Sequence, residues 1–166
     1  MKIKFILLVL FLCSTGSNTA FAQLSNGSPA PDFAVTTITG GSYSLYGAMG
    51  ANKAACLDFM ATWCGPCWSF HQSGVLESVY ANLSSETTVV MLEADYNTNT
   101  SCLYGPSGCV GGTQGNWVSG TLYPICDLQS GDGVRESYQI NYFPTLYVIS
   151  PDKRVWEIIS RSYSNY

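Results

Sequence analysis

Residues 54–67 read AACLDFMATWCGPC, and the fold follows from how this stretch is built. Its first eight residues, Ala54 to Ala61, are almost continuously apolar, the pattern of a central strand covered on both faces. Trp63-Cys64-Gly65-Pro66-Cys67 follows directly, at the start of a helix expected to run to about Leu83 on an apolar stripe of Phe70, Val75, Leu76, Val79 and Leu83. Gly74 weakens that helix locally. Two cysteines two residues apart can close a small disulfide ring with little chain rearrangement. The first lies near a helix N-terminus, where the macrodipole and free N–H groups favour a thiolate, and a thiolate is the species that attacks a disulfide. Half of a zinc site is the competing reading. Zinc needs four ligands, and neither a second CxxC nor more than the single His71 is present, so no metal is expected.

Outward from this stretch the elements alternate. Val35 to Ile38 and Ser42 to Leu45 are short strand-like runs around Thr39-Gly40-Gly41, a hairpin signal. Thr88 to Ala94 is a further strand. Residues 96–122 are rich in Asn, Thr, Gly and Ser and read as a long loop with at most a short helix around Trp117. Leu122 to Cys126 is expected as a strand, Val134 to Ile140 as a short helix, and Thr145 to Ile149 and Arg154 to Ile159 as two strands joined at Pro151-Asp152-Lys153. Strands alternating with helices imply an α/β sheet layered with helices.

The chain has 166 residues, 46% of them hydrophobic and 11% charged, which suits one packed domain and excludes disorder. No run of Lys or Arg exists to grip phosphates, so nucleic acid is not an expected partner. The first residues read as a targeting segment. Lys2 and Lys4 precede the apolar run Phe5 to Leu12, and Ala20-Phe21-Ala22 has the shape of a cleavage site before Gln23. The run is far short of the ~20 residues that span a bilayer. Lipidation at Cys13 is disfavoured by the bulky Leu12 before it. The expected division is a signal peptide over 1–22 and one domain over 23–166, with an exported, periplasmic or secreted product. Loss of Lys2 and Lys4 would take the net charge from −4 to −6, because all 11 acids lie beyond them. Six of the seven cysteines would remain, in a compartment where disulfides persist.

Three matches in order resemble the thioredoxin superfamily: Asp58 six residues before Cys64, WCGPC after an apolar strand, and Phe143-Pro144-Thr145. The resemblance covers essentially the whole chain after residue 22. Ala30-Pro31-Asp32-Phe33 before a hairpin, and the inserted segment Tyr123-Pro124-Ile125-Cys126-Asp127, resemble the exported redoxin branch related to cytochrome-maturation thioredoxins and peroxiredoxins, including secreted redoxins of the Bacteroidetes type. It implies a thioredoxin-like α/β fold: a central mixed sheet with helices on both faces, an N-terminal hairpin extension and an inserted loop-strand. It also implies roles. Cys64 is the exposed nucleophile and Cys67 the shielded resolving thiol. Asp58 is a buried acid with a raised pKa that moves the proton of Cys67. Pro144 is cis, lies against the disulfide, keeps a strand edge free for a substrate backbone and keeps metal from the thiols. Trp63, Gly65, Pro66, Phe143 and Thr145 border the substrate. The implied partners are cysteine-containing proteins and an electron donor in the membrane; no cofactor is implied. The helix after CGPC departs from the family in lacking a proline, and bulky Phe143 precedes Pro144. His71, one turn after Cys67, is expected on the surface.

Cys102 and Cys109 flank a turn-prone stretch and are candidates for a structural disulfide, whereas Cys56 and Cys126 read as small buried hydrophobes. Four such cysteines allow three pairings, and Cys109–Cys126 stays open. A dithiol oxidoreductase is the favoured function, with the reducing direction favoured because Gly65-Pro66 is the pair of reducing thioredoxins. The alternatives are a peroxiredoxin-like peroxidase, which needs a Thr and an Arg beside its cysteine, and a partner-binding redox module. The terminal helix of such folds is expected to be missing after Ile159, since only RSYSNY and a serine follow. A sheet face without that helix would leave Val155 or Trp156 in water unless something else covers it: truncation of a longer protein is the favoured reading, and cover supplied by a partner or second subunit the alternative.

Overall fold

The computed structural model describes residues 23–158. The expectations about residues 1–22 and about the chain after Ile158 lie outside these described residues.

Among the described residues seven strands form two sheets. Strands β1 (Ala34–Thr36) and β2 (Ser42–Ser44) make an antiparallel hairpin, and Ser44 then caps a short helix α1 (Leu45–Met49) by accepting a hydrogen bond from the Gly47 amide. The main sheet has the order β5-β4-β3-β6-β7, built from β3 (Ala54–Met60), β4 (Thr87–Glu93), β5 (Ile125–Asp127), β6 (Thr145–Ile149) and β7 (Val155–Ile158). β3, β4 and β5 run parallel, while β6 is antiparallel to β3 and to β7. The apolar run of 54–61 therefore occupies the central strand.

Side-chain alternation along β3 divides the core. Ala55, Leu57 and Phe59 face α1, α4 (Val134–Ser137) and the ring cluster of Tyr138 and Tyr147. Cys56 and Met60, with Asp58 between them, face α2 (Gly65–Gln72), α3 (Val75–Asn82) and the side chains of Trp117 and Tyr123. This second face is the one that carries the two adjacent cysteines.

Several boundaries differ from expectation. The single helix from Cys64 to Leu83 is two helices, broken at Ser73-Gly74, where Gly74 sits at φ 68° and so takes the left-handed conformation that glycine adopts at little cost. Within 96–122 the helical turn is a 3-10 segment at Thr100–Tyr104, not around Trp117; Trp117 is instead a fully buried core residue. The strand expected at Leu122 to Cys126 starts later, at Ile125, where pairing with β4 begins. Val155 was expected in water and is fully buried, because residues 27–30 run beside the start of β7 with hydrogen bonds between Gly27, Ser28 and Val155. Trp156 is half-exposed.

Candidate functional site

Cys64 occupies the N-cap of α2 and is joined to Cys67 by a disulfide, with the Cα atoms 5.3 Å apart. Cys64 Sγ also accepts a hydrogen bond from the Cys67 amide at 3.2 Å. Gly65 and Pro66 complete the first turn, where the absent proline N–H costs nothing. Cys64 was expected to be exposed. It is 3% exposed and Cys67 2%, because both join the second core cluster with Met60, Ala61 and Phe70, and Phe143 packs against it. What distinguishes the two is position at the helix end, not accessibility in the disulfide form.

Asp58 is 3% exposed, on the face of β3 that α2 covers. Burial pushes its carboxyl up to about 7, and the Glu77 charge adds to the shift. Asp58 Oδ1 has no hydrogen-bond partner. The Phe143–Pro144 peptide is cis. Thr145, expected beside the substrate, is instead buried, and its hydroxyl donates to the Tyr142 carbonyl at 2.9 Å and accepts from Gln23. It belongs to the interior.

Trp63 is fixed from three directions. Its indole N–H donates to Asp95 Oδ2 at 2.6 Å, its ring stands edge-on to Phe143 at 6.2 Å, and its carbonyl accepts from the Gln114 side chain. Burial would raise the Asp95 carboxyl, but the hydrogen bonds from Trp63 and Asn97 hold it below the usual carboxylate range. Gln114 also donates its amide to Thr62, whose hydroxyl donates to the Gly112 carbonyl. The loop over 96–122 thus forms one wall of the site. Its polar composition signalled a loop; nothing in it signalled this clamp, and Asp95 and Gln114 were not foreseen.

The same loop is stapled by a Cys102–Cys109 disulfide, which leaves Cys56 and Cys126 as free buried thiols and excludes the Cys109–Cys126 pairing. Asn99 braces the same turn by bonding Gly108 and Val110. Removing both cysteines (C102A/C109A) should cost about 2–3 kcal/mol of stability from loop entropy alone. Urea unfolding of the variant, with Cys64–Cys67 intact, checks this.

His71, expected on the surface, is buried. It is 7% exposed and packs against the rings of both Trp68 and Trp117, at 5.4 and 5.2 Å. Burial pushes its imidazole below the ordinary value, with Glu77 opposing. Among the described residues no group of three His, Cys, Asp or Glu side chains is placed to hold a metal ion. None of the described helices is long and apolar enough to cross a membrane.

No protein-family model matches the chain. It is 35% identical over 68 residues to a thioredoxin of Mycolicibacterium smegmatis, a match covering 41% of this chain and 58% of that one, so it spans little more than half of that relative. Solved structures resemble it over about four-fifths of its length, among them two thiol–disulfide proteins. The thioredoxin domain of a thiol-disulfide oxidoreductase from Bacteroides vulgatus superposes with a TM-score of 0.61 at 21% identity, covering 81% of this chain and 87% of that one. A thiol:disulfide interchange protein of the thioredoxin family from Chlorobium tepidum gives 0.57 at 20% identity, covering 82% and 88%. The fold is therefore thioredoxin-like: a mixed five-stranded sheet with a separate two-stranded hairpin, carrying a CxxC disulfide at the head of α2.

Proposed function

We propose that this chain is an exported thiol–disulfide oxidoreductase that exchanges its Cys64–Cys67 couple with cysteine-containing protein substrates. The observation that carries this reading is the CxxC disulfide at the N-terminus of α2, over a buried Asp58 whose carboxyl titrates near about 7. A carboxyl poised near neutral pH can accept the Cys67 proton and later release it. The Bacteroides thiol-disulfide oxidoreductase and the Chlorobium thiol:disulfide interchange protein, which share the fold, support the same reading. The working domain is 23–166, with 1–22 removed on export, and the Cys102–Cys109 disulfide fits an oxidising compartment. Trp63, Gly65, Pro66, Phe143 and Pro144 line the approach to the couple.

The direction is reducing, with electrons drawn from a donor in the membrane, because Gly65-Pro66 is the dipeptide of reducing thioredoxins. Peroxide reduction is the reading the geometry speaks against. Thr62 is fully buried with its hydroxyl turned to Gly112, and the Arg135 guanidinium is spent on the Ala94 carbonyl and the faces of Tyr96 and Phe143. A redox titration of Cys64–Cys67 tests both parts of the proposal. A reversible two-electron couple near about −270 mV is expected, whereas a value above about −150 mV would remove the reducing role. A couple that does not titrate at all would remove the activity.

A further inference from the structure

Beneath α2 the fold gathers titratable side chains from four elements. His71 Nδ1 lies 3.7 Å from Glu77 Oε1, and the Tyr123 hydroxyl donates to the same oxygen at 3.2 Å. Asp58 Oδ1, His71 Nδ1 and Glu77 Oε2 are all buried with open hydrogen-bonding valences. The break at Ser73-Gly74 makes this possible. In one continuous helix His71 and Glu77, six residues apart, would point to different sides. The groups facing Glu77 are Asp58 from β3, His71 from α2 and Tyr123 from the segment before β5, and the Asp58 charge acts on Cys56 further along β3. Exposure grades across the cluster: Asp58 is 3% exposed, while the Glu77 side chain reaches 21%.

We propose that Glu77 is the outlet for the Asp58 proton, held in place by Tyr123 and His71, and that it carries that proton between the buried carboxyl and solvent. This rests on the thiol–disulfide reading. In the first step the Cys64 thiolate attacks a substrate disulfide, and one substrate sulfur leaves as a thiolate that takes a proton from solvent. In the second, the Cys67 proton passes to the Asp58 carboxylate, directly or through water. The Cys67 thiolate then attacks Cys64 Sγ, forming the Cys64–Cys67 bond and breaking the bond to substrate. The electron pair leaves with the second substrate sulfur, which takes its proton from solvent. The substrate disulfide has gained two electrons and the dithiol has lost two. Asp58 is left neutral in a site closed to bulk water, and it must discharge before it can serve again. Glu77 is the carboxylate whose charge acts on Asp58, and its side chain, 21% exposed, is less deeply buried than that of Asp58. It is a positioning residue in that it acts through Asp58.

The test compares Glu77→Gln, which keeps size and the bond from Tyr123, with Glu77→Asp, which keeps the carboxylate. The Asp58 carboxyl is titrated by carbon-13 NMR in the disulfide form, where no turnover is needed. Resolution of a mixed disulfide on Cys64 is followed in weak buffer, with and without added imidazole. In E77Q the Asp58 midpoint should fall from about 7, because a like charge has gone. Resolution should slow about tenfold and be recovered by imidazole, while E77D stays within about threefold and ignores it. An unchanged midpoint overturns the proposal, as does an E77Q protein that resolves at the wild-type rate or is slow at every imidazole concentration. A wild-type protein that exchanges no disulfide sinks the thiol–disulfide reading instead, and the NMR titration still decides whether Glu77 is coupled to Asp58.

Discussion

Cys67→Ser should leave a protein that still attacks substrate disulfides but holds them, accumulating mixed disulfides on Cys64, while Cys64→Ser forms none. The asymmetry follows from position. Cys64 is the N-cap of α2, where unpaired amides and the helix dipole stabilise a thiolate, and Cys67 lies a turn further into the helix. Without Cys67 the second exchange has no attacking thiol, and turnover should fall by at least about three orders of magnitude, the scale on which removal of an essential group acts in covalent catalysis. Without Cys64 the first exchange is lost. Non-reducing gels with mass spectrometry of trapped adducts separate the two variants. Equal trapping by both would contradict the assignment, and it is a pointed test because both residues are equally buried in the disulfide form.

Asp58→Asn should slow the resolving step on the order of a hundredfold and leave the first attack within about twofold. In the wild type the resolving rate should rise with pH through about 7, as the Asp58 carboxyl loses its proton and becomes able to accept that of Cys67. In D58N that rise should vanish. Stopped-flow measurement of both steps between pH 5 and 9 gives the result. Stability should change in the opposite sense. The folded-state value near about 7 lies above the ordinary 3.8, so between them the native protein holds a proton that the unfolded chain has released. Stability therefore falls as pH rises from about 4 to about 7, and above that the full cost of a buried charge remains. The gap corresponds to on the order of 4 kcal/mol, so D58N should unfold at higher urea than wild type at pH 8 and at similar urea at pH 4. Glu93, buried at the end of β4 and pushed up to about 8, adds a slope of the same sign in both proteins.

The central place of β3 was legible because it announces itself: a run buried on both faces has no polar side to alternate, and it leads directly into the CxxC turn. The cis peptide before Pro144 and the Cys102–Cys109 bridge were legible from the thioredoxin resemblance and from the turn-prone spacing of the two cysteines. What escaped the sequence depends on tertiary contact. Gly74 reads as a weak point in one helix, yet its left-handed backbone turns the chain so that His71 meets Glu77 instead of solvent. Trp117 sits in a polar, glycine-rich stretch that resembles an open loop, and it is buried because its indole packs edge-on against Trp68 at 4.8 Å. Gly115 allows this close approach, since a Cβ there would lie 2.6 Å from the Trp68 ring. Asp95 lies only two residues beyond β4, but nothing local identifies it as the partner of Trp63, 32 residues away in sequence. Val155 was misplaced because its cover comes from residues 27–30, far away in the chain.

The central claim is that Cys64 and Cys67 exchange a disulfide with protein substrates. Reduction of insulin by the protein with dithiothreitol as electron source, set beside consumption of hydrogen peroxide by the reduced protein, tests it most directly. Insulin should precipitate well ahead of the dithiothreitol control, and peroxide should be consumed no faster than by a simple dithiol. Rapid peroxide turnover with no acceleration of insulin reduction would contradict the account.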